Sequence, residues 1–459
     1  MYSFMDIFML KDPYMLHMQK LLQRILTTGV LLLSLLSLVS PAFANDLDEL
    51  VKEALSNNPD LAEMKSRWEQ SSHRAPQVGS LTDPVLSFAF SNYPSDDFSS
   101  DTAPMTGNEV KLSQMFPFPG KLENRSALAR EQAKWFEAAY HDSHYQLARK
   151  VKDAWFRLYY KQMAIGVVER NMKLVDDIIR LTEVRYETGV GLQQDVLKAQ
   201  VNRSSLMDQL ISLQQQKSVI EFELNRLLNR PAGTFVAPGK LKLPRTDVTL
   251  DEFQRAGLEK RPMNAAYQAL VNRYRYQKKL ADLDDYPDVT LWGSWRFRDN
   301  NLPDEGTDFV SAGVSFNLPI YREKRRAAVA EADAALRMAE YQTMAYRNSV
   351  SESIQKAYAR MEETLQQSEL YSEGIIPQTS QSFQSALGSY QVGTIAFISL
   401  LDTLLTSFKA EMDYYRVSSE YLRSLAWLEA ESTLPLIGSP VVIDQDHAGY
   451  KEHLDQRTP

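Results

Sequence analysis

Two pairs of short segments alternate apolar residues with small or polar ones, which is the pattern of β-strands with one apolar face. Each pair encloses an acidic, turn-rich loop, over 91–108 and over 298–308. This alternation suits a lipid-facing sheet backed by water, and it suits a half-buried soluble hairpin equally well. The apolar positions are Leu86, Phe88, Phe90, Val110, Leu112 and Phe116 in the first pair, and Val289, Leu291, Trp295, Phe297, Val310, Ala312, Val314 and Phe316 in the second.

Long segments with apolar residues three and four positions apart follow each strand pair. They cover 121–186 and 193–228, then 322–390 and 397–431. This spacing predicts helices that pack along narrow seams, as in coiled coils. Pro377 predicts a kink in the third segment. Glycine-containing turns separate the members of each pair, so each long helix is predicted to fold back on the next as an antiparallel hairpin.

The second half of the chain repeats the first after about 200 residues. Asn58-Pro59 returns as Arg261-Pro262, and the turn from Tyr186 to Val190 returns from Tyr390 to Thr394. One supersecondary unit has therefore been duplicated. We expect a first structural repeat over 45–245, a second over 246–435 and a disordered tail over 436–459.

The N-terminal region has the pattern of an export signal. Lys20 and Arg24 precede an apolar run over 25–39, and a small-x-small site ends at Ala44. We expect a signal peptide over 1–44, cleaved after Ala44, with Met18 as a candidate for the true start. No later segment is apolar enough to span a membrane as a helix, so any insertion has to use strands.

Composition and charge exclude several classes of function. The net charge of -8 argues against nucleic acid as the main partner, because phosphate binding needs a basic surface. The chain has no cysteine, which excludes disulfides, thiolate metal sites, a cysteine nucleophile and lipid attachment through an N-terminal cysteine.

The sequence has no recognisable catalytic constellation. No phosphate-binding loop, nucleophile elbow or zinc-protease helix is present. His141 and His144 lie three residues apart on a predicted helix and could hold a metal ion, but no third ligand is apparent, so a solvated pair is the preferred interpretation. We expect no catalytic residue, no metal and no cofactor, and therefore not an enzyme.

Four strands are too few for a closed barrel, since membrane barrels begin at about eight strands and open edges are not tolerated in lipid. If the strands span a membrane, several copies of the chain must share one barrel.

The duplicated turns and the strand pair that leads into a basic helix start resemble TolC-type outer-membrane efflux proteins. The residues that carry the resemblance are the two Tyr-x-x-Gly turns and the stretch from Phe116 to Leu122, and it covers 46–431. It implies a mainly α fold with a small β part. Long antiparallel helical hairpins would form an α-barrel, and four strands per protomer would join a shared trimeric transmembrane β-barrel.

The resemblance also implies a function and partners. The chain would be the passive outer-membrane channel of a tripartite efflux pump in a Gram-negative cell, exporting heavy-metal cations or drugs. Its partners would be a periplasmic adaptor (membrane fusion) protein, an inner-membrane pump of the resistance-nodulation-division type, two further copies of itself and outer-membrane lipid. The alternatives are the channel of a type I protein or peptide secretion system, and a non-channel coiled-coil adaptor or structural protein of the periplasm.

The resemblance finally implies roles for residues at the two hairpin turns. Tyr390 and Asp195 match positions that link the turns in a closed gate, whereas Ile395 stands where the family has an arginine. Asp402 matches one of two acidic entrance positions, and Ser399 replaces the other. A ring of Asp402 carboxylates would attract cations. The tips that would contact the adaptor contain Tyr186, Gly189, Val190, Gly191, Gly393 and Thr394.

Overall fold

The computed structural model describes residues 47–231, 235, 241, 243–302, 304–438 and 440–441. The predicted signal peptide lies outside these residues, as does 442–459 of the predicted tail. The helices are α1 Leu47–Asn57, α2 Pro59–Ser72, α3 Arg74–Gly79, α4 Lys121–Glu187, α5 Gln193–Leu228, α6 Leu250–Lys260, α7 Pro262–Leu283, α8 Arg322–Leu370, α9 Ile376–Gln391 and α10 Phe397–Ser432. The strands are β1 Val85–Ser91, β2 Gly107–Phe116, β3 Val289–Phe297 and β4 Phe309–Phe316.

The four strands form one antiparallel sheet in the order β1-β2-β3-β4. Phe88 lies opposite Val110, Val110 opposite Trp295, and Trp295 opposite Val310. Directly opposed residues point to the same side of a sheet, so the alternation seen in each strand produces one continuous apolar face. The fold class is confirmed: a mainly helical chain with a small sheet.

The long helices pair as hairpins and pack around two apolar clusters. The larger core surrounds Trp155, Leu224 and Tyr421, and it also receives the short helix α6 through Phe253. The second cluster, here called the tip core, lies along α4, α5, α9 and α10 towards their turns. Its members are Ala164, Val168, Val175, Ile178, Ala199, Leu206, Leu213, Phe383, Tyr390, Phe397, Leu400 and Leu404. In the described part of the chain, no helix has both the length and the hydropathy needed to cross a membrane.

The predicted third long helix is divided in the structure. α8 ends at Leu370, a π-helical turn covers Tyr371–Ile375, and α9 begins at Ile376. Pro377 follows at once, and its nitrogen has no proton to donate to a carbonyl in the preceding turn. The amide of Ile376 instead donates to Tyr371, five residues back, so the kink predicted from Pro377 takes the form of a π-turn.

The repeated X-Pro pairs are helix starts that the sequence patterns did not assign. Asn58 caps α2, where its side-chain oxygen accepts from the Leu61 amide, and Arg261 is the residue before α7. Proline suits the first helical position because the missing amide proton would have had no partner there. The Asn58 amide group also donates to the carbonyl of Leu227 at 2.9 Å, which ties α2 to the end of α5.

The predicted disordered tail, 436–459, includes residues at its start that are packed in the structure. Leu436, Ile437 and Val441 pack against the larger core. The ammonium group of Lys152 donates to the Ile437 carbonyl at 2.6 Å and to Glu429 Oε1 at 2.6 Å. The chain after α10 therefore satisfies a buried charge, which composition alone does not reveal.

Candidate functional site at the hairpin turns

The first turn, residues 188–192, joins α4 to α5 and closes on the carbonyl of Arg185. That oxygen accepts the amide protons of Val190 at 3.0 Å and Gly191 at 2.8 Å. Gly189 has a φ of +77°, which a side chain would strain, and a Cβ at Gly191 would lie 3.0 Å from Arg185. Glycine is therefore favoured at 189 by the backbone conformation and at 191 by the close approach of Arg185.

The second turn, residues 392–396, joins α9 to α10 and closes in the same way. Here the Ser389 carbonyl accepts the amide proton of Thr394 at 3.0 Å and its hydroxyl proton at 2.9 Å. Gly393 has a φ of +81°. The repeated sequence motif is thus a repeated helix-end structure.

The two turns are joined by the side chain of Arg185. Its Nη1 donates to the carbonyl of Tyr390 at 2.9 Å and to that of Gln391 at 3.1 Å. These are the last two residues of α9, where helix carbonyls have no partner within the helix and carry partial negative charge. The guanidinium carbon also lies 4.8 Å from the centre of the Tyr390 ring, a cation–π contact. We call this set of contacts the Arg185 clasp.

Glycine at position 393 gives the guanidinium room to approach. A Cβ built there would lie 3.3 Å from Arg185 Nη2, which is close enough to press on it. Gly393 therefore serves both the positive φ of the second turn and the Arg185 clasp.

Tyr390 is buried in the tip core, and its hydroxyl has no hydrogen-bond partner among the described residues. Its ring lies edge-on to Phe397 at 5.8 Å. Burial raises the pKa of the Tyr390 hydroxyl, the negative charge of Asp195 adds to this rise, and Arg185 opposes it. Asp195 thus lies near enough to act electrostatically on Tyr390, but within one chain the two form no hydrogen bond. Their role as a link stays a prediction.

The remaining candidate residues lie in the second turn and in the first two turns of α10. Ile395 packs against the tip core, as an apolar residue in place of an arginine should. Ser399 and Asp402 are both exposed. Among the described residues no cation pairs with the Asp402 carboxylate, so its charge is open to solvent.

Both tips carry exposed apolar side chains. Val190 and Leu192 are each 65% exposed in the first turn, and Val392 is 75% exposed in the second. Tyr186, at the end of α4, is also exposed. Exposed apolar groups on neighbouring turns are typical of a surface that meets another protein.

Comparison with protein families identifies the family of this chain. The model described as "Outer membrane efflux protein" matches residues 50–230 and 255–430. The chain belongs to the outer membrane efflux protein family. Each matched range contains one strand pair and one hairpin turn. The repeat boundaries at 45–245 and 246–435 stay a prediction, although the order of helix, two strands and a long hairpin recurs in both halves.

Solved structures show the same fold at low sequence identity. The outer membrane protein VceC of Vibrio cholerae has a TM-score of 0.72 at 18% identity, covering 84% of this chain and 95% of its own. The CmeC outer membrane channel of Campylobacter jejuni has a TM-score of 0.71 at 17% identity, covering 90% and 89%. CusC, a protein whose structures concern folding and transmembrane channel formation, has a TM-score of 0.73 at 16% identity. The match covers 85% of this chain and 92% of CusC. Comparison with curated protein sequences gives no significant match.

Arg185 is the residue of this efflux protein that the sequence patterns missed. The equivalent position in the second repeat is Ser389, so the arginine occurs in the first repeat only. The one available signal was a basic residue in the last turn of a predicted helix, where cations stabilise free carbonyls.

The histidine pair differs from the prediction. His144 is buried, with Nδ1 2.9 Å from the Tyr140 carbonyl, and His141 is half-buried against Trp68 and Tyr140. They are packed rather than solvated, because α2 covers this face of α4. Within the described ranges no group of three potential ligands could hold a metal ion.

Proposed function

We propose that this chain is the outer-membrane channel of a tripartite efflux pump. In this proposal three copies share one transmembrane barrel, to which each gives four strands, and the long hairpins line a tunnel through the periplasm. Membership of the outer membrane efflux family supports the location. The pump would supply the energy, and the channel would be a passive conduit without enzymatic chemistry.

The observation that carries the proposal is the one-sided sheet. Its apolar face is open, with Phe88 75% and Val310 70% exposed. Its other face is polar and includes the Glu109–Arg296 ion pair at 2.8 Å. An apolar exterior over a polar interior is the arrangement of a membrane barrel that encloses water.

The edges of the sheet support assembly from several copies. β1 pairs only with β2 and β4 only with β3 within the described chain. Unpaired edges in lipid leave backbone groups without hydrogen bonds, so edges from different copies have to pair. Two copies would reach the minimum of about eight strands. The number three comes from the family resemblance.

The same sheet disfavours the non-channel alternative. A coiled-coil adaptor in the aqueous periplasm would leave this apolar face in water, where large apolar patches cause aggregation. A channel for type I secretion would have the same fold and would differ in its cargo.

The hairpin tips are the proposed gate and adaptor site. The Arg185 clasp holds the second turn against the first, with Tyr390 and Asp195 beside it, and the exposed side chains of Val190 and Val392 are available to an adaptor protein. An adaptor can open such a gate only if it binds the separated tips more tightly than the joined ones. An inner-membrane pump of the resistance-nodulation-division type would complete the assembly.

The proposed entrance selects by charge. In a trimer the exposed Asp402 would form a ring of three carboxylates, with the polar Ser399 one helical turn earlier. Such a ring attracts cations and repels anions. This favours heavy-metal cations or cationic drugs as cargo.

Single-channel recording tests the proposed function. Purified protein in a planar bilayer should give cation-selective currents, and Asp402→Ala should lower the cation-to-anion permeability ratio roughly two- to fivefold at low salt. Asp251→Ala, which removes an exposed carboxylate from the short helix α6, is the matched control and should leave the ratio unchanged. Currents with the same selectivity in all three proteins would remove Asp402 from the entrance. A protein that never inserts would exclude a channel.

A further inference from the structure

The polar face of the sheet carries a net positive charge. The charged residues of the four strands are Glu109, Lys111 and Arg296. Arg296 lies directly opposite Glu109, and Lys111 lies two residues further along β2, so all three side chains point to the polar face. Arg296 and Glu109 cancel each other. One positive charge per chain therefore remains on the face that the proposed barrel turns towards its lumen.

The Glu109 carboxylate is bound by groups other than Lys111. It accepts from Arg296 Nη2 at 2.8 Å and from the Ser91 hydroxyl at 3.4 Å. In the described part of the chain, no carboxylate lies within ion-pair distance of the Lys111 ammonium group. The charge of Lys111 is therefore not neutralised within the sheet.

The aromatic ring of Trp292 holds this ammonium group instead. Lys111 Nζ lies 4.3 Å from the centre of the Trp292 ring, a cation–π contact. The ring lies against Gly313 on the next strand, where a Cβ would come within 2.5 Å of ring atom Cζ2. A neutral ring orients the ammonium group without cancelling its charge. The arrangement therefore holds a cation in place on the polar face.

Closure of a shared barrel does not remove this charge. A neighbouring copy would meet the sheet at β1 and β4, whereas Lys111 and Trp292 lie on the two inner strands. Neither edge strand contains a charged residue. The strands of a neighbouring copy therefore bring no carboxylate to Lys111, and three copies would place three ammonium groups around one lumen.

We propose that Lys111 determines ion selectivity inside the barrel, where three Lys111 side chains form a positive belt that attracts anions and opposes simple cations. Like charges around a pore select for ions of the opposite sign. The belt acts against the proposed Asp402 ring, so the entrance and the barrel select for opposite charges. The inference rests on the proposed function, since it needs the polar face to line a water-filled pore.

The belt is close enough to the pore axis to act on every ion that passes. With strands about 4.8 Å apart and tilted by about 40°, the proposed trimeric barrel has a backbone radius of roughly 12 Å. The lysine side chains point inwards, so the ammonium groups lie within about one Debye length of the axis, which is about 10 Å at 0.1 M salt. The effect on selectivity should therefore be measurable at that salt concentration and weaken at about 1 M, where the Debye length is about 3 Å.

Ion selectivity of the purified full-length channel tests the belt. The ratio of potassium to chloride permeability would be obtained from reversal potentials in a planar bilayer. Lys111→Gln should raise this ratio roughly two- to fivefold at low salt, whereas Lys111→Arg should keep the wild-type value. The matched control Lys260→Gln, which removes an exposed lysine at the end of the short helix α6, should also keep it.

The sign of the change separates the belt from the proposed function. Asp402→Ala should lower the same ratio, so the double variant Asp402→Ala/Lys111→Gln should lie between the two single variants. A channel that conducts with a ratio that Lys111→Gln does not alter loses only the belt. A protein that neither inserts nor conducts loses the proposed function, and the belt with it.

Chemical modification checks that Lys111 faces the pore. The chain has no cysteine, so Lys111→Cys provides a single thiol. A cationic methanethiosulfonate reagent converts this thiol into a mixed disulfide, with release of methanesulfinate, and should restore the wild-type ratio. An anionic reagent of the same class should raise the ratio further. Leu112→Cys, the adjacent position on the apolar face, is the matched control. Selectivity that responds to modification at Leu112 but not at Lys111 would overturn the belt.

Discussion

Arg185 connects the two hairpin turns through two different groups. Its carbonyl closes the first turn on Val190 and Gly191, and its guanidinium holds the last carbonyls of α9. The first role belongs to the backbone and would survive most substitutions. The second depends on a positive, forked side chain, so the two roles can be separated by mutation.

Arg185→Ala should loosen the second turn without unfolding the first. The variant loses two charge-assisted hydrogen bonds, each of which contributes about 1.5–3 kcal/mol. The population of molecules with separated tips should therefore rise roughly tenfold or more. In the bilayer we expect more frequent openings of higher conductance. Arg185→Lys should fall between, because an ammonium keeps the charge but not the fork.

Arg180→Ala is the control for this effect. Arg180 lies on the same helix five residues earlier, and its exposed side chain pairs with Asp177 within α4. Its removal should leave conductance at the wild-type level. If Arg185→Ala behaves like Arg180→Ala, the Arg185 clasp has no part in the gate.

At the scale of elements, α4 has different neighbours at its two ends. Near its turn it packs in the tip core, and farther back it is covered by the short helices α2 and α3. The covered part contains His141 and His144. Burial lowers the pKa of both imidazoles, and for His144 the hydrogen bond to the Tyr140 carbonyl opposes this.

These lowered pKa values make stability depend on pH. Between the lowered values and the ordinary value of 6.5, the unfolded chain binds more protons than the folded one. Stability is therefore fully present above that ordinary value and is lost as the pH falls below it. The thermal midpoint, followed by circular dichroism, should drop by roughly 2 °C or more between pH values of about 7.5 and 5.5.

A double variant isolates the histidine contribution. His141→Gln/His144→Gln should lose less of its thermal midpoint over the same pH interval than the wild type. His73→Gln, which changes an exposed histidine at the end of α2, should keep the wild-type pH dependence. An undiminished pH dependence in the double variant would assign the effect to other groups.

At the scale of the whole molecule, the sheet combines strands from the two halves of the chain. β2 pairs with β3 along Asn108–Phe116 and Val289–Phe297, and this pairing merges two apolar hairpin faces into one. Neighbouring residues of one strand then face different environments. On β4, Ala312 lies on the apolar face opposite Gly293, and Ser311 lies on the polar face opposite Ser294.

Ala312→Lys and Ser311→Lys form a matched pair on this strand. A lysine on the lipid side of a membrane barrel costs about 2–4 kcal/mol near the bilayer centre, so Ala312→Lys should strongly reduce the fraction of protein that inserts into vesicles. Ser311→Lys should insert normally because its charge faces water. Equal insertion of the two variants would show that the apolar face does not meet lipid.

Local patterns were sufficient for much of the architecture. Alternation placed all four strands. The helices that start at Lys121, Gln193 and Phe397 match their predicted ranges to within about one residue, which is within the usual uncertainty of a helix end. The turn glycines were read correctly because a positive φ is a property of the residue and its immediate neighbours. The family resemblance, which rests on the same local motifs, is confirmed.

Contacts between residues far apart in the chain could not be predicted from local patterns. Arg185 binds carbonyls 205 and 206 residues away, α2 buries the histidine face of α4, and Ile437 docks on Lys152 across 285 residues. A local pattern records which side of a helix is polar or apolar but not which partner covers it, because burial is a property of two packed surfaces. Local patterns are therefore enough to place the elements and their apolar faces, whereas the Arg185 clasp exists because the two hairpins pack against each other.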